Sequence, residues 1–344
     1  MTQENLTVNK SLKVSKKEIL DDFLLMNVSR NISYIGRKEV FMGRAKFGVF
    51  GDGKELPQIA MSKFFRNGDF RSGYYRDQTF MMSINQLTPD QFFAQLYAHT
   101  DIKKDPHSGG RQMNCHFGTR LLNENGDWKT QTDMMNSVSD ISCVSGQMPR
   151  IVGLAYASKL YRNNKNLSDM ENFSINGNEV VFGTIGDAST SEGHFWEAIN
   201  ACGVLQVPLI MSIWDDGYGI SVPSEYHTTR NDLSKALSGF QRSSKKENGY
   251  EIFTVHAWDY INLLKTYQKA EKLAREDHVP CIIHVKDVTQ PQGHTTSGSH
   301  ERYKSKERLN WEKDFCCIKR MREWIIENNF ASNSEIEIIE KNAE

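Results

Sequence analysis

EVVFGTIGDASTSEGHFWEAINACGVLQVPLIMSIWDD, residues 179–216, decides the fold. Its first third is a short apolar, β-prone run that stops at Gly186-Asp187. From about 191 to 205, Phe195, Ala198, Ile199, Cys202 and Leu205 recur at helical spacing and define one buried stripe. VPLIMSIW (207–214) is a second strand, ending at Asp215-Asp216. Strand, helix, strand with short links is a right-handed βαβ unit, and such units build a parallel sheet. The same pattern continues outward. Ile261, Leu264 and Leu273 mark an amphipathic helix over 260–275, and PCIIHVKDV (280–288) is another strand. Upstream, PRIVGLAYASKLYR (149–162) carries apolar residues around most of a helix, which predicts a buried one. Residues 149–290 therefore read as an α/β fold, a doubly wound parallel sheet flanked by helices.

The flanks speak less clearly. Ile19 to Met26 gives a weak helical signal, 64–78 is charged and aromatic, and PDQFFAQLYAH (89–99) reads as a helix with Pro89 near its start. Residues 101–136 are polar and rich in Gly and Asn, as loops are, with 119–136 read as an insertion. Trp311, Ile318, Met321 and Ile325 predict one closing helix over 309–328. The expected organisation is a mobile, solvated arm (1–18), a single α/β domain (19–330) and a C-terminal tail (331–344).

Composition bounds the function. The 344 residues hold 42 Lys plus Arg against 43 Asp plus Glu, so no net charge draws the chain to nucleic acid or anionic membrane. No apolar run approaches the ~18 residues of a membrane span. The six cysteines (115, 143, 202, 281, 316, 317) form no C-x-x-C pair, which suits reduced structural thiols, with Cys316-Cys317 expected on a helix. The expected compartment is reducing, as the cytoplasm is.

In a parallel sheet, functional groups collect at the carboxyl ends of strands. Asp187 and Asp216 close two such strands and so meet at one rim. Two carboxylates with a backbone carbonyl suit a hard divalent cation such as Mg²⁺, which fills its shell from water and phosphates. The helix starting near Thr190 offers free N–H groups to an anion at the same place. Cation and helix end together describe a pyrophosphate site. Among other residues, His116 reads as structural, His107 and His300 as solvated, Gly51-Asp52-Gly53 as a turn, and Trp196 as core or interface. Arg111 reads equally as part of an ion pair or as loop support.

With those residues in view, GDASTSEGHFWEAINACGVLQVPLIMSIWDDGYGIS (186–221) resembles the thiamine-diphosphate motif, an acid followed some thirty residues later by Asn-Asn. More narrowly it resembles the α subunit of the E1 component of 2-oxoacid dehydrogenase complexes. Tyr74-Tyr75-Arg76-Asp77 is similar to the family's Tyr-Arg-Asp/Glu segment, and Gly110-Arg111-Gln112-Met113 with His116-Phe117-Gly118 to the loop of its branched-chain members. Ser142 to Gly153 resembles its aminopyrimidine-holding turn, and Gly293-His294-Thr295 with Tyr303-Lys304 its Gly-His-Ser…Tyr-Arg loop. The likeness runs from about 20 to 328.

The resemblance implies thiamine diphosphate and Mg²⁺ as cofactors. Asp187, Asp216 and the Tyr218 carbonyl would hold the metal. Tyr75, Arg76 and the turn Gly186, Asp187, Ala188, Ser189 would hold the diphosphate, and Ser142 and Val144 the aminopyrimidine. His294 would contact the reaction intermediate. It also implies an E1 β subunit, or a fused β half, that completes the site, a 2-oxoacid substrate and a lipoyl-bearing E2. Several positions depart from the pattern. Ala188 replaces a glycine and Asp215-Asp216 replaces Asn-Asn. Trp214 and Gln290 stand where branched-chain enzymes have arginines, and Gly298 where an aspartate is usual. More acid and fewer cations predict weaker cofactor binding, and motivate the alternative of a non-catalytic scaffold. They also predict that Asp216→Asn, by relieving repulsion, stabilises the metal-free chain.

Overall fold

The structure is a computed structural model that describes residues 4–296 and 299–344. Its centre is a six-stranded, wholly parallel sheet. In chain order the elements begin with a hairpin, β1 (Asn5–Asn9) and β2 (Leu12–Ser15), followed by α1 (Lys16–Phe41) and α2 (Glu55–Ser62). Then come β3 (Phe70–Ser72), α3 (Gln78–Ser83), α4 (Pro89–Leu96), β4 (Asn136–Ser137) and α5 (Met148–Asn163). The βαβ unit is β5 (Val181–Gly186), α6 (Gly193–Leu205) and β6 (Leu209–Trp214). A small hairpin, β7 (Tyr218–Gly219) and β8 (Val222–Pro223), and a short α7 (Leu233–Ala236) lead to β9 (Glu251–His256), α8 (Tyr260–Asp277) and β10 (Cys281–Lys286). Helices α9 (Lys306–Asp314), α10 (Cys317–Glu327) and α11 (Asn333–Asn342) close the chain.

The sheet order is β4-β3-β5-β6-β10-β9. Its central strands are apolar on both faces because helices cover both. Val181 and Ile185 of β5, with Leu209, Met211 and Ile213 of β6, pack on α5 and α6. Phe182, Ile210 and Trp214 alternate to the other face, against α1, α2 and α8. This period of two, buried on either side, is what fixes the register.

Five expectations are corrected. Residues 5–15 are a hairpin and not a solvated arm: Val8 and Val14 are buried, Asn9 bonds Gln268 of α8 at 2.5 Å, and Ser15 caps α1 through a capping box with Glu18. The tail is helix α11, which buries Ile336. The closing helix breaks between Asp314 and Cys317, where Cys316 is extended, so the two cysteines sit at a break. Cys143 is exposed, although Cys115, Cys202, Cys281 and Cys317 are buried. Helix α5 buries one face and exposes Tyr156 and Leu160 on the other. No described helix is long and apolar enough to cross a membrane.

Candidate active site

Register brings the two acids together. Gly186 pairs with Trp214, and Trp214 with Val285, so β5, β6 and β10 end at one level. The Asp187 N–H then donates to Trp214 O (3.1 Å) and the Asp215 N–H to Val285 O (2.9 Å), which carries the ladder one residue past each strand. Above this rim lies a cleft of about 240 Å³. Tyr75, Arg76, Val144, Gly186, Asp187, Ala188, Ser189, Asp216, Tyr218 and His294 line it, together with Tyr74, Gly219 and Ile220. Of the residues singled out in the sequence, Ser142 stands apart. Its hydroxyl meets Nε2 of His116 (3.1 Å), whose ring stacks on Tyr75.

The two carboxylates differ in their surroundings. Asp187 Oδ2 is buried without a hydrogen-bond partner. The His227 imidazole stands 3.9 Å from it, beyond hydrogen-bond reach. Burial, and then Asp216 and Asp215, push the Asp187 carboxyl well above the ordinary carboxylate range. Asp216 is as deeply buried, but its Oδ2 accepts from His294 Nε2 (3.0 Å) and Lys54 Nζ (3.3 Å), and its Oδ1 from the Tyr218 N–H (3.2 Å). Burial opposes its ionisation, yet His294 and Lys54 outweigh burial and hold it below the usual range. Burial lowers His294, with Asp216 opposing; its Nε2 faces Asp216, and its Nδ1 is buried and unpartnered.

The departures from the family pattern have local answers. Asp215 is absent from the cleft wall: His284 Nε2 meets its Oδ2 (2.7 Å), and Ser234 meets the other ring nitrogen (2.7 Å). Ala188 is accommodated by Gly219, where a Cβ would come within 2.8 Å of the Ala188 methyl. Trp214 is buried in the core with Nε1 unpartnered. Gln290 is buried and accepts from Lys54 Nζ (2.7 Å). Gly298 lies outside the described residues. Cations are therefore present after all. Besides Lys54, Arg308 donates to Asp216 O (2.6 Å), and Arg76 donates to Phe50 O and His294 O (2.5 and 2.9 Å).

Lys54 is the residue that sequence reading missed. Its neighbours spell GDGKELP, a turn, and a turn lysine is ordinarily solvated. Here the turn is pressed into the molecule. Gly53 has φ +93° and a Cβ there would lie 1.7 Å from Thr289 O, so only glycine allows the approach that delivers Lys54 to Gln290. Three other readings change. His107 is half-buried against Gly118 O (3.2 Å), and Arg111 makes a loop bond to Ser108 O (2.9 Å) without an ion pair among the described residues. His300 is largely covered as well, beside Glu301 (3.3 Å).

A cleft with an orphaned carboxylate oxygen opposite a second acid, beside an arginine, suits a cation carrying an anionic group. The amino acids alone do not form a closed metal cage: no group of three or more His, Cys, Asp or Glu capable of holding an ion occurs among the described residues.

Comparison with known proteins agrees in scope. The 2-oxoisovalerate dehydrogenase subunit alpha of Homo sapiens mitochondria is 25% identical over 305 residues, covering 88% of this chain and 58% of the relative. That of Dictyostelium discoideum is 26% identical over 327 residues, covering 93% and 64%, and that of Bacillus subtilis 25% over 276 residues, covering 80% and 72%. The chain thus spans about three fifths of the length of the first of these. Residues 25–344 match the family described as dehydrogenase E1 component, and the chain belongs to that family, with its resemblance running to the α-subunit members.

Proposed function

We propose that the chain is the α component of a thiamine-diphosphate- and Mg²⁺-dependent E1 enzyme that decarboxylates a 2-oxoacid oxidatively, branched-chain acids favoured, and passes the acyl group to a lipoyl-bearing E2. One observation carries this: buried Asp187 Oδ2 has no partner at the strand-end rim it shares with Asp216. An unpaired buried carboxylate is costly, and a divalent cation there removes the cost. Asp187, Asp216 and the Tyr218 carbonyl would hold Mg²⁺. Arg76, with its fork-shaped donors, and Tyr75 would hold the diphosphate beside the turn 186–189. Ser142, whose hydroxyl is engaged by His116, would act through its backbone, and Val144 would hold the ring end. When bound, thiamine diphosphate supplies the electron sink for decarboxylation. His294, held by Asp216 through Nε2, would contact the reaction intermediate from the cleft wall. The branched-chain preference rests on Gly110 to Met113 and on the similarity to 2-oxoisovalerate dehydrogenase α subunits.

The remaining acid, for the aminopyrimidine, would come from a β subunit or fused β half. The test is turnover of a branched-chain 2-oxoacid by the pure chain, with and without a β partner, alongside calorimetric titration of thiamine diphosphate and Mg²⁺. The expected result is negligible turnover alone and activity on reconstitution; robust turnover by the chain alone overturns the split site. A second reading, a non-catalytic scaffold, is favoured by Lys54 and His294 already occupying Asp216 Oδ2. Absence of Mg²⁺-dependent cofactor binding with β present would select it.

A further inference from the structure

Lys54 has no task in the chemistry above. It precedes α2, is 1% exposed, and is absent from the cleft wall, so it stands behind Asp216 and out of reach of a ligand in the cleft. A buried ammonium survives only when paired. Its contacts are the Gln290 side-chain oxygen Oε1 (2.7 Å) and the Asp216 carboxylate (3.3 Å). The charges of the rim are therefore divided unevenly. Asp216 receives Lys54, His294 and the Tyr218 N–H, and its own carbonyl receives Arg308; the Asp187 Oδ2 receives nothing.

We propose that Lys54 is a positioning residue, a built-in counter-ion that holds Asp216 at the rim when no divalent cation is present and leaves Asp187 as the acid that recruits one. The proposal rests on the reading of this rim as a cation site. It has two consequences. In the cation-free chain the Lys54–Asp216 contact is a structural bond. In the cation-loaded chain the same ammonium faces a divalent ion across Asp216, so like charges repel and affinity is held down. Lys54 thus trades cation affinity for a stable empty site.

A double-mutant cycle (wild type, K54M, D216N, K54M/D216N) in thermal melts of the EDTA-treated full chain reads the first consequence, with K54Q replacing K54M if the latter does not fold. The expected result is a loss of about 5 °C or more for K54M and clearly non-additive losses in the double variant. Additive losses, or wild-type melting of K54M, overturn the proposal. Calorimetric titration of Mg²⁺ with thiamine diphosphate present reads the second. K54M is expected to bind Mg²⁺ about tenfold tighter, and its melting deficit to shrink as Mg²⁺ rises. Equal or weaker affinity, with a deficit constant at every Mg²⁺ concentration, marks Lys54 as mere packing and overturns the proposal. If wild type does not respond to Mg²⁺ at all, the cation reading above falls and with it the exchange. Strong coupling in the EDTA cycle then still supports Lys54 as the counter-ion of Asp216.

Discussion

Asp187 and Asp216 share depth and rim but are pushed in opposite directions, one toward the protonated form and the other away from it. The difference lies in which acid has partners. For Asp187 the folded value lies above the unfolded one, so its stabilising contribution is complete below about 3.8 and is lost as pH rises through the folded value. The cation-free chain should therefore lose stability with rising pH relative to D187N, and Mg²⁺ should erase the difference; parallel melting curves across pH would refute this. Loaded with Mg²⁺ and diphosphate, D187N should bind about 2–4 kcal/mol more weakly, the scale of removing one member of a buried charged pair. For Asp216 the structure reverses the expectation drawn from sequence. Neutralising it removes the negative charge that the buried Lys54 ammonium is paired with, so D216N should destabilise the cation-free chain, and a higher melting temperature would restore the repulsion view. The pair itself was legible because strand ends are legible. Lys54 was not, because its burial depends on Thr289, far along the chain.

At the scale of elements, what could be read was what had a strong period. Strands β5, β6 and β10 and helices α6 and α8 stand where apolar spacing placed them. The edge strand β4 and its neighbour β3 have two and three residues, too few for alternation to show. Strand β9 is mostly half-buried, at the sheet edge, and so lacks the unbroken apolar run of its neighbours. Helix α1 was seen only in part because its buried face includes Ser29, Arg30, Ser33 and Arg37, which pair inward: Arg30 with Glu55 (2.6 Å) and Ser29 with Thr79 (2.7 Å). The N-terminal hairpin escaped notice for a similar reason, since Val8 and Val14 are two apolar residues among polar ones. Its packing makes V14D informative. A charge at a 2% exposed position should cost about 2–4 kcal/mol. Denaturant melts of V14D indistinguishable from wild type would return residues 5–15 to the status of a loose arm.

Over the whole molecule, apolar side chains remain uncovered around the cleft and on the α5 and α6 side. Val144, Ile220, Val222 and Tyr226 are exposed near the mouth, Tyr156 and Leu160 on α5, and Val204 on α6 is 66% exposed. Patches of this kind mark association surfaces. L160D/V204D should melt within about 2 °C of wild type, since surface changes cost little, while losing co-elution with a β partner in size-exclusion chromatography. Retained co-elution would put the partner elsewhere. The sheet order also governs how the protein comes into being on the ribosome. Phe70 of β3 pairs with Val181 of β5, and β5 is the strand that joins the two sides of the sheet. At roughly 5–20 residues per second, the ~110 residues between β3 and β5 delay that pairing by on the order of 5–20 s. Throughout that interval Phe65, whose ring packs edge-on with Phe80, lacks its second partner Phe182 and the strand that carries it. Yield in the cell should then depend on chaperones that shield an unfinished half-sheet, and slowing translation just upstream of codon 181 should increase aggregation of the nascent chain.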